Sequence, residues 1–108
     1  MNGVALSDLF KALADPTRRA VFERLSREGE ATVSELTAHS GVSQPAVSQH
    51  LAALRKAGLV GERRAGRNTH YHAETRNLAP LIDWVGRQDV FWRERLARMS
   101  DLLKEIEE

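Results

Sequence analysis

The most informative absence in this sequence is cysteine, which does not occur among its 108 residues. Its absence excludes disulfide bonds, thiolate metal sites and cysteine nucleophiles together. No apolar run approaches the roughly 20 residues that a membrane-spanning helix needs. The start of the chain has neither the basic segment nor the long apolar segment of a secretory signal. We therefore expect a cytoplasmic protein that has no membrane partner.

Aromatic residues make up only 6% of the chain, and its formal net charge is only +1. Its length predicts a single domain, residues 1–108, with a modest core. The charge is unevenly placed: residues 43–72 carry five basic side chains and one acidic side chain, while the flanking segments are slightly acidic. A basic patch on a near-neutral chain is typical of a surface that binds a polyanion. An ordinary basic loop is the alternative.

Residues 43–57 predict a helix with one apolar and one polar face. Ser43 is a good N-cap, and Val47, Leu51 and Leu54 share one face because they are spaced by four and three residues. The outer face carries Gln44, Ser48, Gln49 and Arg55. Hydroxyl, amide and guanidinium groups bind base edges and phosphates in a major groove. We interpret this segment as a DNA-recognition helix, the alternative being an ordinary amphipathic helix.

A shorter helix is predicted just before it. Thr32 and Glu35 have the spacing of a capping box, which predicts a helix from residue 33 to about residue 39. Gly41 then provides a tight turn. A short helix, a turn containing glycine and a second helix form the helix-turn-helix arrangement. Asp15 is likewise expected to cap an earlier helix that begins at Pro16.

After the recognition helix the pattern changes from helical to extended. Residues 60–72 predict a β-hairpin, a wing, with its turn at Gly66. Arg63, Arg64 and Arg67 lie at or near its tip. Arginines in that position clamp phosphates or enter a minor groove. The predicted fold class is mainly α with a small β-hairpin, a winged helix-turn-helix.

Residues 78–107 predict one long helix, with Asn77 as its N-cap. Trp84 belongs to an apolar patch near its start, and a seam spaced by four and three residues follows: Trp92, Leu96, Met99, Leu103 and Ile106. A domain this small has little left to cover so long a helix. We therefore expect a second copy to cover it in a homodimer; packing against its own domain is the alternative.

The four histidines give little support for a metal site. His70 and His72 are two apart on a predicted strand and face the same side, but clear further ligands are missing, and a closed zinc site needs four. His50 is interpreted as a partly buried histidine on the flank of the recognition helix, with a phosphate contact as the alternative. No metal or other cofactor is predicted. No phosphate loop, carboxylate dyad or nucleophile signature indicates an enzyme.

Three stretches resemble the ArsR/SmtB family of bacterial and archaeal winged-helix transcription regulators. They are FKALADPTRRAVFERL (10–25), VSELTAHSGVSQPAVSQHLAALRKAGLV (33–60) and RRAGRNTHYH (63–72). The resemblance covers nearly the whole chain, and it implies operator binding, usually repression, and homodimers formed through the first and last helices.

The resemblance also implies roles for individual residues. The DNA contacts that it implies are Ser43, Gln44, Ser48 and Gln49, with wing residues such as Arg64 and Arg67. Together with the residue patterns, it leads us to expect dimerisation through Leu9, Trp84, Trp92, Leu96, Met99 and Leu103.

The resemblance does not extend to metal sensing. The founding metal sensors carry paired cysteines in the helix that matches residues 33–39, or carboxylate and histidine ligands on the last helix. Here the first segment has no cysteine and residues 78–108 have no histidine. Control would then come from an unidentified small apolar ligand, from a partner protein or from protein abundance alone.

The function that the sequence predicts is a sequence-specific DNA-binding transcriptional regulator. We expect a homodimeric repressor whose partner is double-stranded DNA with a palindromic operator. A winged-helix module used only for protein–protein assembly is the alternative.

Overall fold

The computed structural model describes residues 5–107, so residues 1–4 and 108 of the predicted single domain lie outside the described residues. The chain divides into two compact units, the first ending at Leu78 and the second starting at Ala79. The first unit contains α1 (Leu6–Ala14), α2 (Pro16–Glu28), β1 (Ala31–Thr32), α3 (Val33–Ala38), α4 (Gln44–Lys56), β2 (Val60–Ala65) and β3 (Asn68–Ala73). The second unit is one helix, α5 (Ala79–Glu107). The single-domain assignment stays a prediction.

Side-chain caps set where the helices of the first unit begin. Asp15 accepts a hydrogen bond of 2.9 Å from the backbone N–H three residues on, at the start of α2. Thr32 and Glu35 form a reciprocal capping box around α3. Ser43 accepts from the N–H of Ala46 at 3.2 Å and so caps α4. These three caps confirm the predicted starts, because each satisfies a backbone donor that has no partner within its helix.

An aliphatic core orients α4. The largest fully buried side chains are Leu9, Leu36, Val47, Leu51, Leu54 and Leu59. Three of these, Val47, Leu51 and Leu54, form the inward face of α4 that the spacing predicted. Burying each such side chain contributes about 1.5–3 kcal/mol relative to leaving it exposed. A rotation of α4 about its axis would lose that contribution, so the opposite face is held towards solvent.

The sheet has three antiparallel strands in the order β1-β3-β2. The predicted hairpin is present as β2 and β3, joined by the two-residue turn Gly66-Arg67. Gly66 has φ of 64°, and no other residue of the turn has positive φ, which is the pattern of a type II′ turn. The short β1 was not predicted, because two residues are too few to show an alternating pattern; it places Ala31 opposite Tyr71.

The predicted long helix is present as α5, which begins after a 3₁₀ turn at Thr75–Leu78. Asn77 does not act as its N-cap. The Asn77 side-chain amide instead donates a 2.6 Å hydrogen bond to the carbonyl of Gly58, where the chain leaves α4. None of the helices within residues 5–107 has the length and apolar character needed to cross a membrane.

Candidate nucleic-acid interface

The polar face of α4 is exposed over its first two turns. Gln44, Ser48 and Gln49 are all exposed, and Ser43 is exposed at the N-cap. The Ser43 hydroxyl oxygen accepts one hydrogen bond at the start of the helix, so the hydroxyl keeps its proton and one lone pair for a further partner. The amide groups of the two glutamines each offer a donor and an acceptor. This face therefore presents the group types that read base edges in a major groove.

Arg55 extends this face into the last turn of α4, but it is not a solitary cation. Its Nη2 lies 3.2 Å from Oε1 of Glu62 on β2. Both side chains remain partly exposed. The ion pair links the end of α4 to the first strand of the hairpin, so Arg55 orients two elements as well as contributing charge.

The register of the hairpin separates its arginines onto different faces. Arg64 pairs with Thr69 across the strands, and Arg63 pairs with His70. Since alternate residues of a strand share a face, Arg64 lies on the same face as Glu62, the residue that reaches α4. Arg63 lies on the opposite face.

Arg63 is held in a bidentate ion pair, and its predicted role as a DNA contact stays a prediction. Its Nη2 and Nε lie 2.6 Å and 3.2 Å from the two carboxylate oxygens of Glu30. The hydrogen bonds from Arg63 lower the pKa of the Glu30 carboxyl, and Glu30 in turn raises the pKa of Arg63. The charge of Arg63 is neutralised within the chain, so it contributes much less to an anion-binding surface than its position in the sequence suggested.

All three hairpin arginines are exposed, but in the described part of the chain Arg64 and Arg67 lack the glutamate partner that Arg63 has. Arg67 occupies the second position of the tip turn, next to Gly66. Within residues 5–107, no carboxylate forms an ion pair with either arginine. The hairpin therefore presents two cations, one at its tip and one on the face that it shares with Glu62.

His50 contacts α2, which confirms its interpretation as a partly buried histidine on the flank of α4, while its contact with a DNA phosphate stays a prediction. Arg18 Nε donates to His50 Nδ1 at 3.4 Å, and His50 Nε2 lies 4.0 Å from Oδ1 of Asp15. Only 16% of the His50 side chain is exposed. These contacts hold the His50 imidazole between α4 and the start of α2.

The wing histidines belong to a network that sequence reasoning missed. His72 Nε2 lies 2.7 Å from Oε1 of Glu74, and its Nδ1 lies 4.0 Å from Oε2 of Glu30. The imidazole occupies the space beside Gly61, where an added Cβ would lie 2.5 Å from His72 Nε2. A glycine inside a strand is a signal for such a close approach, but it does not identify the neighbour. Within residues 5–107, no group of three or more potential ligand side chains is arranged to hold a metal ion.

One face of α5 exposes large apolar side chains to solvent. Trp92, Leu96, Met99 and Leu103 are each more than half exposed, whereas Trp84 is partly buried. Phe91 contacts Trp92 edge to face with ring centroids 5.2 Å apart, and Arg95 lies 4.5 Å above the Phe91 ring.

Leu9 does not belong to an exposed surface. It is fully buried in the core of this chain, and its role in dimerisation stays a prediction that this burial does not favour. The neighbouring Phe10 is 42% exposed.

Comparison with known families gives one match, to the model described as "Bacterial regulatory protein, arsR family", over residues 15–62. That range includes α2, α3, α4 and the start of β2.

Two curated relatives and one solved structure match most of the chain. The HTH-type transcriptional regulator Rv2034 of Mycobacterium tuberculosis is 43% identical over 94 residues, covering 87% of this chain and 84% of the relative. The arsenical resistance operon repressor of Escherichia coli is 36% identical over 100 residues, covering 91% and 81%. The NMR structure of the homodimeric winged helix-turn-helix DNA-binding domain Mb0332 of Mycobacterium bovis aligns with a TM-score of 0.63 and 28% identity, covering 78% and 77%.

Proposed function

This chain belongs to the ArsR family of bacterial regulatory proteins, and we propose that it is a homodimeric repressor that binds a palindromic operator. It is a DNA-binding transcriptional regulator with a winged helix-turn-helix fold. The observation that carries the proposal is the exposed face of α4, where Gln44, Ser48 and Gln49 stand clear of the core. These side chains would read base edges, and Arg64 and Arg67 of the hairpin would bind phosphates.

The exposed apolar seam of α5 supports the homodimer. Trp92, Leu96, Met99 and Leu103 together form a surface that costs free energy to leave in water. A closed pair of identical chains buries such a seam most simply with two-fold symmetry. Two symmetric copies of α4 would match two operator half-sites about one helical turn apart, roughly 34–36 Å. A palindromic operator follows from that symmetry.

Three further features belong to the proposal. The chain acts by binding rather than by catalysis, as expected of a family of regulators. It works in the cytoplasm, because that is where a bacterial regulator meets its operator. Its control would come from an unidentified small molecule, from a partner protein or from protein abundance alone, since the chain has no cysteine for a thiolate metal site.

The experiment that tests this function begins by selecting the operator from fragmented genomic DNA with the purified protein. Wild type, Gln49→Ala and Gln88→Ala are then titrated against that operator and a scrambled duplex. Gln88→Ala is the matched control, because it removes the same amide from α5. We expect Gln49→Ala to weaken operator binding by about 1–3 kcal/mol, with scrambled-duplex binding nearly unchanged and the control silent.

Two outcomes would contradict the proposal. Equal weakening of both duplexes by Gln49→Ala would exclude its role in direct base readout. Absence of any duplex binding by the wild type at low salt would favour the protein–protein module instead.

A further inference from the structure

An open cavity of about 340 Å³ lies among α1, α2 and α4, next to the recognition helix. Its lining consists of Asp8, Lys11, Ala12, Arg18, Ala53, Lys56 and Ala57. The three alanines leave room because their side chains are short. The long polar side chains of the lining include three cations, each from a different helix. The cavity is therefore a concave site with a predominantly positive lining.

None of these cations has an ion-pair partner among the described residues, although the hydrogen bond from the Arg18 backbone N–H and, to a lesser extent, the charge of Arg18 lower the pKa of the Asp15 carboxyl. Among residues 5–107, no carboxylate forms an ion pair with Lys11, Arg18 or Lys56, and Asp8 is the one acidic residue of the lining. Arg55 and Arg63, by contrast, each have a glutamate partner. Bringing three like charges to one cavity costs free energy unless an anion joins them.

We propose that this cavity binds a phosphate-type oxyanion. Lysine supplies a compact point charge and arginine a planar set of donors, and both are common partners of phosphate. The volume exceeds that of one water molecule many times over, so a phosphate group with a small substituent fits as well as a phosphate alone.

The phosphate has two conceivable sources, free solution and the DNA backbone. Lys56 is seven residues after Gln49 and therefore lies on nearly the same side of α4. The cavity thus borders the face proposed to read DNA. Its cations can bind a backbone phosphate next to the bases that this face contacts. A free phosphorylated small molecule has the same chemistry and needs no DNA.

Arg18 gives the cavity a direct link to the recognition helix. Its Nε donates to His50 of α4 at 3.4 Å. An anion that draws the Arg18 guanidinium towards the cavity would weaken or reorient that contact. Occupancy of the cavity would therefore be felt by α4 through His50 as well as through Lys56.

The first arm of the test is an NMR titration with inorganic phosphate, with sodium chloride used to hold ionic strength constant. The full chain is used as wild type, Lys11→Gln, Lys56→Gln and the control Lys104→Gln, which removes an exposed lysine from α5. We expect saturable amide shifts around Lys11, Arg18 and Lys56 in the wild type and the control. Each cavity variant should bind phosphate about tenfold more weakly.

The second arm identifies the source of the phosphate by measuring how duplex affinity depends on salt. If the cavity takes a backbone phosphate, Lys56→Gln should lower the log–log salt slope by about 0.9, and inorganic phosphate should compete with DNA. If it takes a free phosphate, the slope should stay unchanged and the phosphate shifts should persist in the DNA complex. Either result supports the inference.

Shifts that are absent or linear in the wild type, together with an unchanged salt slope in Lys56→Gln, would overturn it. The second arm rests on the proposed DNA binding, whereas the first does not. If the wild type binds duplex DNA but shows neither saturable phosphate shifts nor a lower salt slope in Lys56→Gln, the anion site alone is excluded. If the wild type binds no duplex, the proposed function is excluded, and the phosphate titration of the first arm still tests the anion site.

Discussion

Arg55 in the last turn of α4 forms an ion pair with Glu62 in the first strand of the hairpin, with 3.2 Å between Nη2 and Oε1. The pair connects two elements that are both proposed to contact DNA. Because both side chains are substantially exposed, the pair contributes little to stability, about 0–1 kcal/mol. The pair should instead weaken DNA binding, because Glu62 places a negative charge beside Arg55, which would otherwise be available to a phosphate.

Glu62→Gln should therefore strengthen binding to any duplex. The substitution keeps the size of the side chain and releases Arg55 to a backbone phosphate, so the log–log salt slope should steepen by about 0.9. Titrations at several salt concentrations measure it. Asp89→Asn is the matched control, because it removes the partner of Arg93, 2.7 Å away, on α5. Weaker binding with an unchanged slope would mean that the pair serves mainly to orient the hairpin.

The three hairpin arginines should differ in their effect on DNA binding. Arg64→Ala and Arg67→Ala should each weaken operator and scrambled duplexes alike and lower the salt slope by about 0.9, since each removes one phosphate contact. Arg63→Ala should have a clearly smaller effect, because Glu30 already neutralises that guanidinium. The same salt series decides it. An equal loss from all three variants would show that the Glu30 pair opens when DNA binds.

The features that local sequence determines were predictable. The caps at Asp15, Thr32 and Ser43 and the inward face of α4 depend on residues within one or two turns of each other, and the structure has all of them. The hairpin is equally local, since strand alternation and one glycine at a turn define it.

The features that distant residues determine were not predictable. Glu30 and Arg63 are 33 positions apart, and no local pattern indicates that one neutralises the other. Arg18 and His50 are 32 positions apart, so the partner of His50 could not be read from its own helix, although its partial burial was predicted. Leu9 shows a different limit: an apolar residue on a helix has the same periodicity whether it faces the core or a partner.

Leu96→Glu should break the homodimer. Its side chain lies in the exposed seam of α5, and a carboxylate buried there without a partner would cost several kcal/mol. Operator affinity should fall too, because two half-sites need two linked copies of α4. Sedimentation at micromolar concentration measures the assembly state. Ala97→Glu is the control, since it adds the same charge about 100° around the helix. A monomeric wild type under these conditions would show that the seam is not a homodimer interface.

Acid should selectively remove the contribution of Glu30. The hydrogen bonds from Arg63 lower the Glu30 pKa below its ordinary value of 4.5, so the pair stabilises the fold fully above that value and is lost as pH falls through the lowered pKa. Glu30→Gln should therefore melt below wild type at pH 7, and the difference should shrink below about pH 4.5. Thermal melts by circular dichroism at pH 7, 4.5 and 3 measure this. Glu94→Gln on α5 serves as the control, and a gap that stays constant with pH would contradict the prediction.

Metals should leave operator binding unchanged, although one relative is named an arsenical resistance operon repressor. Soft metals favour thiolates, and this chain has no cysteine and only four histidines. In the structure, the His50 imidazole is hydrogen-bonded to Arg18 and the His72 imidazole to Glu74. Zinc, cadmium and arsenite at micromolar concentration are therefore expected to have no effect in a fluorescence-anisotropy titration of operator DNA in chelator-free buffer.

A tenfold weakening by zinc or cadmium that EDTA reverses, equivalent to about 1.4 kcal/mol of coupling, would falsify this expectation. His70 and His72 would then be the first residues to replace. They lie on one face of β3, near the carboxylate of Glu30, so a metal bound there would compete with Arg63 for that carboxylate. His72→Ala should abolish such an effect, whereas His39→Ala, on the separate C-cap of α3, should preserve it.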